Sequence, residues 1–167
     1  MDRASSWMIG LTAASAALLI TSYVAALDTG SRAPALEGRA LSGGQAIDIA
    51  SHRGSVVVVD FWASWCGPCA EAMPALERIY QRYRGQGLVV IGVSEDRRED
   101  NAQTFLGRTR VSFPTIFDGD HAVANRYRPS TMPSTFIIDR QGIVRHVHTG
   151  FRAGDAVALE RQIRDLL

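Results

Sequence analysis

The order of hydrophobic and polar residues along the chain predicts strands that alternate with helices. Residues 55–62 and 88–94 are rich in β-branched residues and show no polar alternation, a pattern typical of strands covered on both faces. Residues 66–83 show a helical period instead. Their apolar side chains fall on one face of a helix, and these are Met73, Leu76, Ile79, Tyr80 and Tyr83.

Weaker patterns complete the expected order of elements. Two short alternating runs around Ser42, Gly43 and Gly44 predict a hairpin, and the charged stretch 95–101 predicts a solvent-exposed turn. This order predicts an α/β fold with a mixed central sheet and helices on both faces. The further elements expected are a short helix over 102–109, a strand over 115–118, a helical stretch over 121–127, a strand over 134–139, a turn at 140–142, an alternating strand over 143–150 and an amphipathic helix over 153–167.

The N-terminal segment differs in composition from the rest of the chain. From Ala4 to Leu27 there is no charged residue, and its apolar part of about 20 residues would span about 30 Å as one hydrophobic helix. Arg3 would stay in the cytoplasm, so the part of the chain after the hydrophobic segment would emerge on the far side of the membrane. We expect 1–27 to be an uncleaved signal-anchor, with a cleaved signal peptide as the alternative. Residues 28–34 would form a linker, and 35–167 one domain.

The charge balance argues against one broad class of function. Eighteen basic and 17 acidic residues give a net charge of +1. No block of about five basic residues occurs, so nucleic-acid binding has no electrostatic support. The chain has two cysteines, Cys66 and Cys69, which are too few for a disulfide scaffold or a four-ligand metal framework. Their spacing therefore carries the chemical information.

The two cysteines stand where a predicted buried strand is followed by a helix. A helix N-terminus carries unpaired N–H groups and roughly half a positive charge, which stabilise a thiolate. Pro68 suits the first helical turn because it has no N–H to leave unpaired. Cys69 lies about one turn into the helix, close to Cys66 and more shielded. We therefore expect Cys66 to attack a substrate disulfide and Cys69 to resolve the mixed disulfide.

Two other interpretations of the cysteine pair remain open. A static disulfide across so short a loop would restrain little of the unfolded chain and would stabilise the fold poorly. A metal site would need two more ligands, for which His146 and His148 are candidates because residues two apart in a strand point to one face. Two histidines in a strand more often form an ordinary polar face.

The stretch VVDFWASWCGPC resembles the active-site strand, loop and helix of the thioredoxin superfamily. The segments LSGGQAIDIASHRGS and MPSTFIIDRQGIV are similar to those of its TlpA/ResA branch of membrane-anchored thiol-disulfide oxidoreductases. The resemblance covers most of the chain after residue 34. It implies a thioredoxin-like domain over 35–167 and no cofactor other than a redox-active disulfide between Cys66 and Cys69.

The resemblance also implies a set of substrate-binding residues. Pro133 matches the cis-proline of the family, whose loop faces the cysteines, and a cis bond before proline costs little. An ordinary proline at the start of a strand is the alternative. The backbone of Met132 would pair with a substrate strand. The residues expected to contact substrate are Trp65, Gly67, Pro68, Met132 and Pro133.

Asp60 matches a buried aspartate of cytosolic thioredoxins. Burial would raise its pKa and let it exchange a proton with Cys69, whereas a carboxylate that points elsewhere at the strand end is the alternative. TlpA/ResA relatives commonly carry a glutamate three residues after the second cysteine, where this chain has Ala72. Glu71 stands one residue early, about 100° around a helix. The acid-base work would therefore fall to Asp60.

The function that the resemblance implies is extracytoplasmic reduction of protein disulfides. The Gly-Pro pair between the cysteines is that of thioredoxin, whose potential is roughly −270 mV. The implied partners are disulfide-containing proteins, such as apocytochrome c or copper-site assembly proteins, and a membrane electron donor of the DsbD/CcdA type. The implied location is the periplasmic side of the inner membrane, or the periplasm after signal cleavage. The alternatives are a disulfide oxidant and a copper-binding assembly protein that uses His146 or His148.

Overall fold

The computed structural model describes residues 27–167 of the chain. The hydrophobic helix expected at the N-terminus lies outside the described residues. Within 27–167, no helix combines the length and the apolar character needed to cross a membrane. The elements, in chain order, are β1 (Glu37–Arg39), β2 (Ala46–Asp48), β3 (Val56–Trp62), α1 (Gly67–Tyr83), β4 (Leu88–Ser94), α2 (Glu99–Thr109), β5 (Thr115–Phe117), α3 (Ala122–Tyr127), β6 (Ser134–Ile138), β7 (Val144–Thr149) and α4 (Asp155–Leu166).

A five-stranded mixed sheet forms the centre of the described fold, with the strand order β5-β4-β3-β6-β7. Strands β3, β4 and β5 are parallel, whereas β6 is antiparallel to β3, and β7 to β6. Strands β1 and β2 pair as a separate hairpin, as the sequence predicts. Because β6 runs opposite to β3, the start of β6 lies at the edge of the sheet where β3 ends. This topology brings two loops that are distant in sequence to one edge.

The side chains of β3 point alternately to the two faces of the sheet. Val58 and Trp62 belong to a cluster that also includes side chains of α1, α2 and α4. Val57 and Phe61 belong to a second cluster, which includes α3 and the β1–β2 hairpin. All seven residues of β3 are buried. The prediction of a mixed sheet with helices on both faces is therefore confirmed. The prediction that β3 is covered on both faces is also confirmed.

The charged stretch 95–101 is only in part the solvent-exposed turn that the sequence predicts, since residues 97–101 are exposed but the first two residues are buried. Glu95 and Asp96 are 5% and 0% exposed, and α2 already begins at Glu99. The two carboxylates tolerate burial because they are hydrogen-bonded, Glu95 to His121 and Asp96 to serine groups. Acidic residues in the first turn of α2 suit the positive end of the helix dipole, so here a charged stretch begins a helix. The other elements predicted within residues 27–167 are all present.

Candidate active site

Cys66 and Cys69 lie where β3 ends and α1 begins. They are joined by a disulfide, and the Sγ of Cys66 accepts a hydrogen bond of 3.2 Å from the backbone N–H of Cys69. Cys66 is the N-cap of α1, and Pro68 occupies its first turn. Cys69 is fully buried, whereas Cys66 keeps 6% of its surface exposed. Cys66 is therefore the more accessible sulfur and lies at the positive end of the helix dipole.

A groove of about 530 Å³ opens beside Cys66. One wall is the segment 65–68 around Cys66, at the start of α1, and the other is the segment 129–132 that precedes β6. Trp65 stands at the rim and is 68% exposed. Four of the predicted substrate-binding residues line this groove, namely Trp65, Gly67, Pro68 and Met132. Their role in binding stays a prediction.

Pro133 does not line the groove itself, but it follows Met132 through a cis peptide bond, as expected. Its carbonyl oxygen accepts a hydrogen bond of 2.7 Å from the N–H of Gly150, just after β7. The hydroxyl of Ser134 donates to the carbonyl of Thr131 over 2.7 Å. These bonds fix the second wall of the groove against the sheet.

Asp60 is buried in the middle of the sheet, 1% exposed. It stands two residues from Val58 and two from Trp62 in β3, so its side chain points to the same face as theirs, which is covered by α1 and on which Cys69 also lies. The hydroxyl of Thr135, its neighbour on β6, donates to Oδ1 over 2.6 Å. Oδ2 has no hydrogen-bond partner among residues 27–167. Burial raises the pKa of Asp60 to about 7, against the lowering effect of the Thr135 hydrogen bond.

The helix position of the family's glutamate is apolar here, as the sequence indicates. Ala72 is buried on α1, 5% exposed, whereas Glu71 is exposed to solvent. Glu71 therefore lies on the outer side of the helix. The exchange of a proton between Asp60 and Cys69 stays a prediction.

His146 and His148 lie on β7, at the far edge of the sheet from β5. The Nε2 of His148 is 2.6 Å from the side-chain oxygen of Gln162 on α4. Partial burial lowers the pKa of His146. Within residues 27–167, no group of three or more histidine, cysteine, aspartate or glutamate side chains is arranged to hold a metal ion.

Asp96 contacts the loop between β3 and Cys66, residues 63–65, and the sequence patterns did not predict this contact. Its carboxylate accepts hydrogen bonds from the backbone N–H of Ser64, at 3.0 Å and 3.2 Å, and from the Ser64 hydroxyl at 2.6 Å. The signal that could have found it is topological. Asp96 follows the end of β4, Ser64 follows the end of β3, and the ends of adjacent parallel strands meet at one edge.

Glu95 and His121 form a second pair that the sequence analysis missed. Their Oε2 and Nδ1 atoms are 2.5 Å apart. Burial raises the pKa of Glu95 to about 7, although the bond to His121 opposes it. The same bond raises the pKa of His121. Since the two residues are 26 positions apart and lie on loops, no sequence pattern links them.

Comparison with known sequences identifies a protein family and individual proteins to which the chain is similar. Residues 29–147 match the AhpC/TSA family. The thiol-disulfide oxidoreductase ResA of Geobacillus thermodenitrificans is 33% identical over 102 residues, which cover 61% of this chain and 59% of that protein. The thioredoxin-like protein YneN of Bacillus subtilis is 30% identical over 127 residues, which cover 74% of this chain and 73% of that protein. The chain thus spans about three fifths of the length of ResA.

A solved structure extends the similarity to the whole described fold. The crystal structure of a protein assigned as the thiol:disulfide interchange protein DsbE of Chlorobium tepidum superposes with a TM-score of 0.80 and 36% sequence identity. The superposition covers 84% of this chain and 99% of that chain. The central mixed sheet flanked by helices is therefore a thioredoxin-like fold.

Proposed function

The chain belongs to the AhpC/TSA family, and from this premise we propose that it is a thiol-disulfide oxidoreductase that reduces disulfides in other proteins. The observation that carries the proposal is the Cys66–Cys69 disulfide, which stands at a helix N-terminus and opens on a groove. Two sulfurs so placed can bond either to each other or to a substrate sulfur. The similarity to thiol-disulfide oxidoreductases named ResA supports the same chemistry.

The first step is attack by Cys66 on a substrate disulfide. The reduced protein carries two thiols, and Cys66 reacts as the thiolate because the Cys69 N–H and the helix dipole favour the charged form. A bond forms between Cys66 Sγ and one substrate sulfur while the substrate S–S bond breaks. The other substrate sulfur leaves as a thiolate and takes up a proton.

The second step is attack by Cys69 on the mixed disulfide. Cys69 loses its proton, bonds to Cys66 Sγ, and releases the second substrate sulfur as a thiolate. Asp60 takes the proton from Cys69, since a carboxyl group with a pKa of about 7 can accept and release protons near neutral pH. The substrate gains two electrons and two protons, and the protein is left with the Cys66–Cys69 disulfide.

The groove beside Cys66 holds an extended segment of the substrate. Trp65 supplies an exposed aromatic surface on one side, with Gly67 and Pro68 next to it, and the backbone of Met132 offers hydrogen-bonding groups on the other. Pro133 follows Met132, and the bond from the N–H of Gly150 to its carbonyl holds this side of the groove against the sheet.

The chain works outside the cytoplasm, on the periplasmic side of the inner membrane. The uncharged apolar segment before residue 28 supports this location as an anchor, and 35–167 is the catalytic domain. The expected linker 28–34 is bonded to that domain in part, since the N–H groups of Gly30 and Ala33 donate to the carbonyls of Val144 and Gly142. Each turnover leaves a disulfide that needs two electrons, and a membrane donor of the DsbD/CcdA type would supply them. Substrates of the apocytochrome c or copper-site assembly type fit the expected branch.

A trapping experiment tests the proposal. The full chain with Cys69→Ser, reduced and mixed with a disulfide-containing protein, should accumulate a covalent adduct through Cys66, since no second thiol can resolve it. The Cys66→Ser variant is the matched control and should form little adduct. Non-reducing electrophoresis and mass spectrometry measure both. Equal adducts from the two variants would contradict the assigned roles of the cysteines.

The direction of electron flow is tested by the reduction potential of the unmodified chain, equilibrated with glutathione. A reductant should lie near the roughly −270 mV of thioredoxin. A potential near the roughly −120 mV of DsbA would identify an oxidant and reverse the direction of the reaction. Copper retained in stoichiometric amount after purification from a copper-supplied host would instead favour a copper-binding assembly protein.

A further inference from the structure

Asp96 has a buried carboxylate that accepts hydrogen bonds from the loop between β3 and Cys66. The side chain is inaccessible to solvent. It accepts the N–H and the hydroxyl of Ser64, and a further hydrogen bond of 3.0 Å from the hydroxyl of Ser94. Burial of a carboxylate costs desolvation free energy unless hydrogen bonds compensate it, whereas an apolar residue at this position would carry no such cost. The arrangement therefore calls for a role beyond filling the core.

The loop between β3 and Cys66 has few other attachments. Ala63 is buried, and its carbonyl accepts the N–H of Cys66 over 3.1 Å. The side chain of Trp65 is 68% exposed and contributes little to holding the loop. Ser64 is thus the residue through which the loop is tied to the neighbouring strand. The adjacent N–H of Glu95 also bonds to the carbonyl of Trp62, at the very end of β3.

We propose that Asp96 is a positioning residue that holds the loop from Ser64 to Cys66 in place and thereby favours the disulfide over the dithiol. The inference rests on the proposed function, since it concerns the same cysteine pair. The disulfide forms when Cys66 and Cys69 each lose one electron and one proton to an acceptor such as oxidised glutathione, which becomes two glutathione thiols. Cys69 is fixed inside α1, so the position of Cys66 decides how often the two sulfurs meet.

Loosening the loop changes one side of this equilibrium more than the other. In the oxidised protein the S–S bond itself restrains Cys66. In the reduced protein that restraint is absent, and the Asp96–Ser64 contact limits how far Cys66 moves from Cys69. Without the contact, the reduced state gains conformational entropy and the effective concentration of one thiol near the other falls. The dithiol is then favoured, and the potential rises.

The test is the equilibrium constant between the cysteine pair and glutathione, measured on the full chain in detergent. For Asp96→Ala we expect the constant for disulfide formation to fall about tenfold, which is about 30 mV upward for a two-electron couple. For Ser64→Ala, which keeps the backbone bonds and loses only the 2.6 Å hydroxyl bond, we expect a fall of about threefold.

Asp139→Asn is the matched control. Asp139 is also buried, and it accepts the N–H groups of Gln141 and Ile143 at 2.9 Å, but it lies past the end of β6, at the opposite edge of the sheet from Cys66. This variant should lose stability and keep the potential. If Asp96→Ala lost stability like the control and kept the original potential, the inference would be overturned.

A variant that does not fold still leaves the inference testable. Should Asp96→Ala fail to fold, the Ser64→Ala variant decides the matter, and an unchanged potential there overturns the inference. Failure of the proposed function gives a different result. In that case the unmodified chain itself would not exchange disulfides with glutathione, whatever residue stands at position 96.

Discussion

Asp60 shows how one buried residue trades stability for chemistry. Its carboxyl group is inside the sheet with one hydrogen-bond partner, Thr135, and an unpartnered Oδ2 among the described residues. An unfolded aspartate has a pKa near 3.8, whereas burial raises the pKa of Asp60 to about 7. The native protein must therefore accept either a proton or a buried charge at neutral pH, and the proposed mechanism uses the proton.

The Asp60→Asn variant should be more stable than the unmodified chain at pH 8 and should be slower in catalysis. Since the pKa of Asp60 is raised in the folded state, the contribution of its protonation to the free energy of unfolding is fully present below pH 3.8 and is lost as the pH rises through about 7. Asparagine cannot ionise, so the variant should gain up to about 4 kcal/mol at pH 8 and almost nothing near pH 4. Urea unfolding across this pH range measures the difference.

The kinetic half of this prediction concerns the second step. Without the carboxyl group, resolution of the mixed disulfide by Cys69 should slow by about 100-fold, which rapid-quench experiments measure. The control is Asp48→Asn, because Asp48 is exposed and caps a short 3-10 helix through the N–H of Ala50. A stability difference between Asp60→Asn and the unmodified chain that does not vary with pH would refute the assigned pKa.

At the scale of elements, the short helix α3 precedes the segment 129–132, which forms one wall of the groove beside Cys66. It spans six residues, and the chain after it leads through 129–132 to the cis bond at Pro133. Both carboxylate oxygens of Asp118 hold its first turn, accepting the N–H groups of Val123 at 3.0 Å and Ala124 at 2.8 Å. So short a helix depends strongly on such a cap and on its buried side chains.

Asp118→Ala should loosen α3 and weaken substrate binding. Loss of the cap should cost about 1 kcal/mol, and hydrogen exchange at the amides of Val123 and Ala124 should accelerate. The KM for a protein disulfide should rise, because α3 leads into one wall of the groove. Asp120→Ala is the control, since Asp120 makes one exposed bond of 3.1 Å to Ala122. Equal exchange rates in the two variants would count against this role of Asp118.

Sequence patterns predict the elements well and the contacts between them poorly. The valine-rich run of β3 and the helical period of α1 identify both elements because each pattern depends on local burial alone. The cysteine pair could be placed because it lies at the junction of these two elements. The Asp96–Ser64 contact joins residues 32 positions apart, and it depends on two strands being neighbours. For the same reason, the burial of Glu95 and Asp96 could not be distinguished from a solvated turn.

At the scale of the whole molecule, strand order decides where the chemistry occurs. The central strand β3 has a parallel neighbour, β4, on one side and an antiparallel neighbour, β6, on the other. The end of β3, the end of β4 and the start of β6 therefore share one edge of the sheet. The cysteines, Asp96 and the cis bond at Pro133 come from these three places.

The proposed anchor is also tested on the whole molecule. In a bacterial host, the full chain should stay in the membrane fraction after an alkaline carbonate wash, and reduced Cys66 should react with a thiol reagent that does not enter the cytoplasm. A variant without residues 1–27 and carrying a known cleavable signal should appear in the soluble periplasm. If expression of the full chain instead gave a soluble, shortened product with a new N-terminus near residue 27, the segment would be a cleaved signal peptide.

The burial of Trp62 beside the cysteines has an optical consequence. The chain has three tryptophans, and Trp62 shares its buried cluster with Cys66 and Cys69, while Trp65 directly precedes the first cysteine. A disulfide accepts electrons from an excited indole nearby, whereas two thiols do so weakly. The intrinsic emission of the protein should therefore brighten on reduction and dim on oxidation. Each turnover can then be followed in real time, without a label, by the intrinsic tryptophan fluorescence of the protein.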